Sequence, residues 1–392
     1  MPLPLRPLGK TGIKVSNLGF GAMRLPLLNP KDPTSVNVSE SVRMIRHAID
    51  SGVNYIDTAF PYHGNDHMKP GKSEEVVGLA LAGGYREKVY LATKLPLWRV
   101  ETRQDMDLLL NDQLKRLNVK HIDFYLAHNI NTRVWPLMQE LDIFGFFDAA
   151  KRDGRIRFPS FSFHDQFELF REVVGEYPWS MAQIQYNYLD VNYQAGKRGL
   201  SLANANGIGV VVMEPLRGGF LINNIPAGTV NNLKSIRPDW SMADWGLRWV
   251  WNQPEVGLVL SGMSEMAQLE ENLSIAADSL PGKLLPADLT ALESVQAVFR
   301  ERKVVNCTAC GYCMPCPCGV AIPKIFALLN EYNLSDTNDV KERAQAFYGM
   351  TMGKKEKADN CIACRICEGK CPQHIHIASM MPKATQVLET PA

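Results

Sequence analysis

Three runs decide how this 392-residue chain folds: NYIDTA (Asn54–Ala59), KVYLATKL (Lys88–Leu95) and HIDFYLAH (His121–His128). Each is short, apolar and rich in β-branched or aromatic residues, which is how a buried strand reads. Working outward, five more runs share the pattern: VSNLGFGAM (Val15–Met23), IRFPSFSFH (Ile156–His164), MAQIQYN (Met181–Asn187), GVVVMEPL (Gly209–Leu216) and VGLVLSGM (Val256–Met263). Longer segments of helical period lie between them. Val42, Ile45, Ala48 and Ile49 line one face that stops before Gly52, a C′ residue. Glu101–Leu117 and Met266–Ala277 read as helices, and Trp245 and Trp249 stand four apart on another. Eight strand–helix repeats in about 270 residues are what a closed (β/α)8 barrel requires. A doubly wound open sheet is the alternative, but no glycine-rich dinucleotide fingerprint follows an early strand. The expected fold is an α/β TIM barrel over residues 1–300.

Residues 301–392 are of another kind. Eight of the nine cysteines fall in two runs, each closed by Cys-Pro: Cys307, Cys310, Cys313 and Cys316, then Cys361, Cys364, Cys367 and Cys371. Three cysteines at two-residue gaps wrap three corners of a [4Fe–4S] cube, and in bacterial two-cluster ferredoxins the fourth serves the other cluster. That pattern joins Cys307, Cys310, Cys313 and Cys371 on one cluster, and Cys361, Cys364, Cys367 and Cys316 on the other. Cys318 is left over, a packed thiol or a substitute for Cys316. Structural zinc is the rival, yet it has no need of four cysteines per run or of the closing Cys-Pro. Disulfides fit worse, since the gaps are too short for ordinary bridges. Ile322, Phe326 and Leu329 share one helical face between the runs, and another helix is expected over Ala287–Glu301. The second domain therefore reads as small, mainly helical and ferredoxin-like, with no internal sequence repeat.

Composition narrows the function classes. A net charge of +1 without a basic run argues against a nucleic-acid partner. The opening residues MPLPLRPLGK lack the apolar core of a signal peptide. No run approaches the roughly 20 apolar residues of a membrane span. Eight reduced thiolates then point to the cytoplasm.

Barrel enzymes carry their chemistry where strands end at the C-terminal face. Those positions hold Asp57 and Tyr62 after the second strand, Lys94 after the third and His128 after the fourth. Carbonyl reduction by hydride creates an alkoxide that must be protonated. A free tyrosine, with a pKa of about 10, is a slow acid at neutral pH. An adjacent ammonium stabilises its phenolate, and a carboxylate holds that ammonium in place. Tyr62 would be the acid, Lys94 the perturbing cation, Asp57 its anchor and His128 the donor that orients the carbonyl.

These segments, with RPLGKTGIKVSNLGFGAM (Arg6–Met23), NYIDTAFPYHG (Asn54–Gly64) and SEEVVG (Ser73–Gly78), resemble successive signatures of the aldo-keto reductases over about residues 5–280. The whole chain is similar to the subgroup with a C-terminal 4Fe–4S ferredoxin domain. The resemblance implies that Asp57, Tyr62, Lys94 and His128 form the family's catalytic tetrad. It also implies an extended nicotinamide cofactor, NADH or NADPH, bound without a Rossmann domain. Ser162, Gln183, Met213, Gly218, Glu271 and Asn272 fall at cofactor-binding positions. Phe163 stands where the family has an amide-binding Asn, and Gly262 and Gln268 replace the basic residues that grip a 2′-phosphate.

Three functions follow as expectations. The first is an NAD(P)H-dependent oxidoreductase that reduces a carbonyl or oxidises an alcohol, with two [4Fe–4S] clusters relaying electrons to or from ferredoxin or another carrier. The second is a flavin- or ferredoxin-dependent reductase using the barrel pocket without nicotinamide. The third is a non-catalytic redox-sensing or binding module. The segments Pro26–Ser39 and Gly219–Met242 are expected as pocket loops.

Overall fold

The structure, a computed structural model, describes residues 2–223, 225–302, 304–335 and 337–389. The chain divides into two compact units: residues 1–215 with 247–283, and residues 216–246 with 284–392.

The first unit opens with an antiparallel hairpin, β1 (Leu5–Pro7) and β2 (Lys14–Ser16). Eight parallel strands follow: β3 (Leu18–Gly21), β4 (Tyr55–Asp57), β5 (Tyr90–Pro96), β6 (Ile122–Ile130), β7 (Ile156–Phe163), β8 (Met181–Gln185), β9 (Gly209–Met213) and β10 (Leu258–Ser261). They close in sequence order, with β10 pairing both β9 and β3. Six strands lie within their apolar runs, and β5 and β6 continue past theirs to Pro96 and Ile130, so the TIM barrel stands.

The helices end where local chemistry ends them. Val38–Asp50 starts on Asn37, whose side chain accepts the Glu40 N–H, and buries Ile45, Ala48 and Ile49. Gly52 follows at φ +102°. Arg103–Leu117 begins at a Thr102–Asp105 capping box. Met266–Ala277 spans the segment read from the sequence.

The hairpin seals one end of the barrel. Leu8, Ile13 and Val15 pack with Tyr55, Phe124, Met181 and Leu258 in one buried cluster. Gly9, at φ +55°, sits where a Cβ would lie 2.3 Å from the Gly209 nitrogen, so only glycine lets the plug close. Chemistry is left to the opposite, C-terminal face.

The second unit is helical. Ile322–Leu334, Asn338–Thr351 and Ile377–Glu389 surround a core containing Ile325, Phe326, Leu329, Ala344, Tyr348, Met381 and Ala384. Pro286–Arg302 belongs to the same unit. Its Asp288 accepts two hydrogen bonds from Arg237, both at 2.8 Å. The segment Gly219–Met242 is not the expected loop. It carries helices Phe220–Asn223, which buries Phe220 and Leu221, and Ala227–Ile236, which buries Leu233, and it falls in the second unit. Among the described residues no helix is long and apolar enough to cross a membrane.

Candidate active site

Asp57 is the last residue of β4, Lys94 lies on β5 and His128 on β6. Parallel pairing sets Lys94 opposite Leu126 and Pro96 opposite His128. Residues 37 apart in sequence thus meet: the Lys94 ammonium donates to both Asp57 oxygens at 2.8 and 2.7 Å, and to the Thr58 carbonyl at 2.9 Å. It also lies 3.3 Å from the Tyr62 hydroxyl oxygen. Burial pushes the Asp57 carboxyl up and the Lys94 ammonium down, and their mutual attraction opposes both shifts. With two short contacts the carboxylate holds the ammonium charged.

Tyr62 sits in the loop after β4. Its carbonyl accepts the Ser73 N–H, and a Cβ on Gly71 would lie 2.0 Å from that oxygen, so glycine is required behind it. The Ser73 hydroxyl donates to the Ala22 carbonyl and meets Thr58 Oγ1 at 2.8 Å. The Tyr62 and His128 rings stand edge-on, 6.3 Å between centroids. His128 is buried, and burial first, then Lys94 and His164, hold its pKa well below the ordinary imidazole value. It is therefore neutral at pH 7.

Several contributors carry no sequence motif. Trp98 lies 5.1 Å from the His128 ring and donates its indole N–H to the His67 carbonyl at 3.0 Å, walling the site. His63, next to Tyr62, accepts the Leu25 N–H on Nε2 at 3.0 Å. Its Nδ1 lies 3.0 Å from the Pro33 carbonyl. One neutral tautomer satisfies both contacts and ties the 25–37 segment to the tyrosine loop. Behind Lys94, the buried Glu74 accepts from Thr93, Gln113 and Arg116 at 2.7, 2.5 and 2.8 Å. The Gln113 amide also donates to the Lys94 carbonyl at 3.0 Å. Such a lattice fixes β5 with every charge paired. A carboxylate, an ammonium and a phenol meet beside a neutral imidazole, an arrangement that can deliver a proton.

Residues 17–283 match the sequence profile of the aldo/keto reductase family. The chain belongs to that family. A Glycine max protein named "Probable aldo-keto reductase 1" is 26% identical over 310 residues, covering 70% of this chain and 85% of its own. Two solved structures share the fold: the holo and apo forms of the aldo-keto reductase AKR11C1 from Bacillus halodurans. Their TM-scores are 0.58 and 0.56 at 23% and 22% identity, over 75% of this chain and 96% of theirs.

Of the reductase's expected cofactor positions, three come from adjoining strands. Ser162 on β7 accepts the Asn129 N–H at 2.8 Å and pairs in register with Gln183 on β8. The Gln183 amide lies 3.6 Å from the half-buried Met213 sulfur, while its Oε1 is buried with no hydrogen-bond partner among the described residues. Asn129 Oδ1, on the left-handed residue after His128, is likewise buried and unpartnered. Each is an acceptor of the kind that the N–H groups of a primary carboxamide could satisfy. On helix Met266–Ala277, Asn272 is buried and donates to the Ser261 hydroxyl at 3.0 Å, while Glu271 is exposed. Arg24 packs its stem 3.2 Å from where a Gly262 side chain would begin. That brings a guanidinium, 3.9 Å from Glu214, to a place the sequence left without a cation. Gly218 is an exposed left-handed glycine at φ +64°.

The second unit contains a different kind of site. All nine cysteines are thiols rather than disulfides. Cys307, Cys310, Cys313 and Cys371 line one small cavity together with Gln373 and Ile377. Cys316, Cys361, Cys364 and Cys367 line another, with Cys318 and Arg365 on its wall. Burial and neighbouring cysteines raise the Cys313 thiol, and burial pushes Cys367 up to about 11. Among the described residues no group of three or more His, Cys, Asp or Glu converges to hold a metal ion.

The two cysteine loops repeat one another in backbone, a relation not read from the sequence. Ala309 and Ala363 are both left-handed, at φ +54° and +56°, as are Gly311 and Arg365 two residues on. After each Cys-Pro the chain turns again, Gly319 N–H to Cys316 carbonyl at 2.9 Å and His374 N–H to Cys371 carbonyl at 3.1 Å. Helices Ile322–Leu334 and Ile377–Glu389 follow. The repeat puts Cys318 opposite Gln373, the wall residue of the other cavity. Side chains diverged while the turns stayed, so periodicity alone could not reveal it.

Proposed function

We propose that this aldo-keto reductase reduces a small carbonyl compound, or oxidises the corresponding alcohol, with NADH or NADPH in its barrel. Its cysteine quartets would hold two [4Fe–4S] clusters that exchange single electrons with a partner protein. The observation that carries the barrel reading is the Lys94 ammonium, held by Asp57 and set 3.3 Å from the Tyr62 hydroxyl. Bound nicotinamide supplies the hydride, and bound clusters supply one-electron transfer.

The chain's residues do the rest. Tyr62 delivers the proton from its hydroxyl to the oxygen that gains charge. Lys94 stabilises the phenolate left behind, an effect strengthened by the dry surroundings. Asp57 keeps Lys94 in place. Neutral His128 offers an N–H to the carbonyl without the cost of burying another charge. Gln183 and Asn129 would receive the carboxamide N–H groups. Arg24 would stand near the adenosine phosphates, which supports either nicotinamide dinucleotide.

Support for cubanes over single ions comes from the cysteine pattern. Four sulfurs about one zinc make a single tetrahedral site, which has no need of four cysteines per run each closed by Cys-Pro, the pattern that bacterial two-cluster ferredoxins use. Iron would also offset the burial that raises the Cys313, Cys367 and Cys371 thiols.

Anaerobic purification followed by iron, zinc, flavin and nicotinamide analysis tests the whole reading. About eight irons per chain and quenching of tryptophan fluorescence by NADH or NADPH are expected. Tyr62→Phe should abolish carbonyl reduction with iron content unchanged. A yellow chromophore with no nicotinamide binding, or stoichiometric zinc, would replace the proposal.

A further inference from the structure

The repeat of the two cysteine loops makes their surfaces comparable position by position. Thr308 is 2% exposed, whereas its counterpart Ile362 is 70% exposed. Ile366, across Cys364 from Ile362, is 49% exposed, and Cys364 itself faces solvent. The backbone turns match, so the turn does not force these isoleucines outward. One exposed isoleucine is ordinary. Two flanking an exposed thiol on a cavity wall call for a contact.

Charge divides the loops the same way. Residues 306–320 contain no charged side chain, while 353–371 contain Lys354, Lys355, Lys357, Arg365 and Lys370. Of the three acids in that stretch, Glu356 caps the Gly353 N–H and Glu368 accepts the Ala378 N–H. The third, Asp359, accepts from Asn360. The lysines stay near the second cavity. The Lys354 carbonyl accepts from Asn360, which precedes Cys361, and the Lys355 Cβ lies 3.4 Å from where a Gly319 side chain would begin. Arg365 lines the cavity directly.

We infer that this face, with Ile362 and Ile366 at its centre and Lys354, Lys355 and Arg365 around it, docks a small acidic electron-carrier protein. The inference rests on the cluster reading above and adds which cavity is the port and which charge its partner carries. One electron leaves the partner's reduced centre and enters the cluster of the second cavity. The partner is oxidised by one and the cluster reduced by one, with no bond made and no proton moved. Transient redox partners use small interfaces, and complementary charge steers the encounter.

The test uses the full-length protein prepared anaerobically, with a dithionite-reduced, acidic plant-type [2Fe–2S] ferredoxin as probe. Stopped-flow absorbance follows its oxidation at low and moderate salt. The rate should fall steeply with salt. Lys354→Glu with Lys355→Glu should slow it on the order of tenfold or more at low salt, while iron content and direct reduction by dithionite stay at wild-type levels. Ile362→Ser, which alters no charge, should weaken the complex without removing the salt dependence. A double variant as fast as wild type, or a rate indifferent to salt, would overturn the inference. Wild-type protein lacking iron and sulfide would instead sink the cluster reading, and this face's role with it.

Discussion

The barrel site and the cysteine unit solve one problem, gathering reactive groups in one place, by opposite means. In the barrel, Asp57, Lys94 and His128 are dispersed in sequence and gathered by sheet closure, and each charge finds its partner within the protein. In the second unit the groups are local in sequence, and burial with mutual crowding drives the Cys313 thiol upward. The first site pairs its charges within the protein. The second, on the proposed reading, would be completed by the clusters it binds. Stability in the two regions should therefore respond differently to the same insult.

The largest expected difference comes from iron. Stripping it anaerobically with a chelator should open the second unit to protease and remove part of the helical signal, because ligand binding there is folding energy. The barrel should survive, as seen by limited proteolysis and circular dichroism. Equal resistance of both units would erase the contrast. Next, Tyr62→Phe should lower kcat for carbonyl reduction by roughly 10²–10⁴, the usual worth of a positioned proton donor. It should leave Tm nearly unchanged.

Lys94→Met should do both kinds of damage. It leaves Asp57 as an uncompensated buried carboxylate and should cost roughly 3–5 kcal/mol in denaturant unfolding, while Lys94→Met with Asp57→Leu should recover much of that loss. The smallest effect is that of pH on His128. Its folded pKa lies below its unfolded value, so the unfolded chain binds the proton first as pH falls. Stability from this group is complete above about pH 6.5 and declines below it, by at most about 1.4 kcal/mol per pH unit. His128→Asn should flatten that slope in unfolding curves measured between pH 7 and 5.

The barrel was largely legible because its signal is local. Strand period, glycine breaks and helix caps act over a few residues, and β3 to β10 fall where those patterns lie. The Gly219–Met242 helices escaped because a segment of weak apolar period takes its structure from its surroundings. Trp98 and His63 escaped for a related reason. Neither belongs to a motif, and each matters only through a neighbour that folding supplies: the His128 ring for one, Leu25 and Pro33 for the other.

By itself the sequence determined the kinds of chemistry present: eight thiols in two short runs, and a phenol, an amine, a carboxylate and an imidazole at strand ends. Both follow from covalent order, which sets spacing along the chain. Tertiary structure alone decided the neutral state of His128, the wall around the site, and which cysteine loop turns isoleucine and lysine to solvent. These depend on burial and on distances between residues far apart in the chain. Desolvation and Coulomb energy are sums over all neighbours in space, and no local pattern contains them.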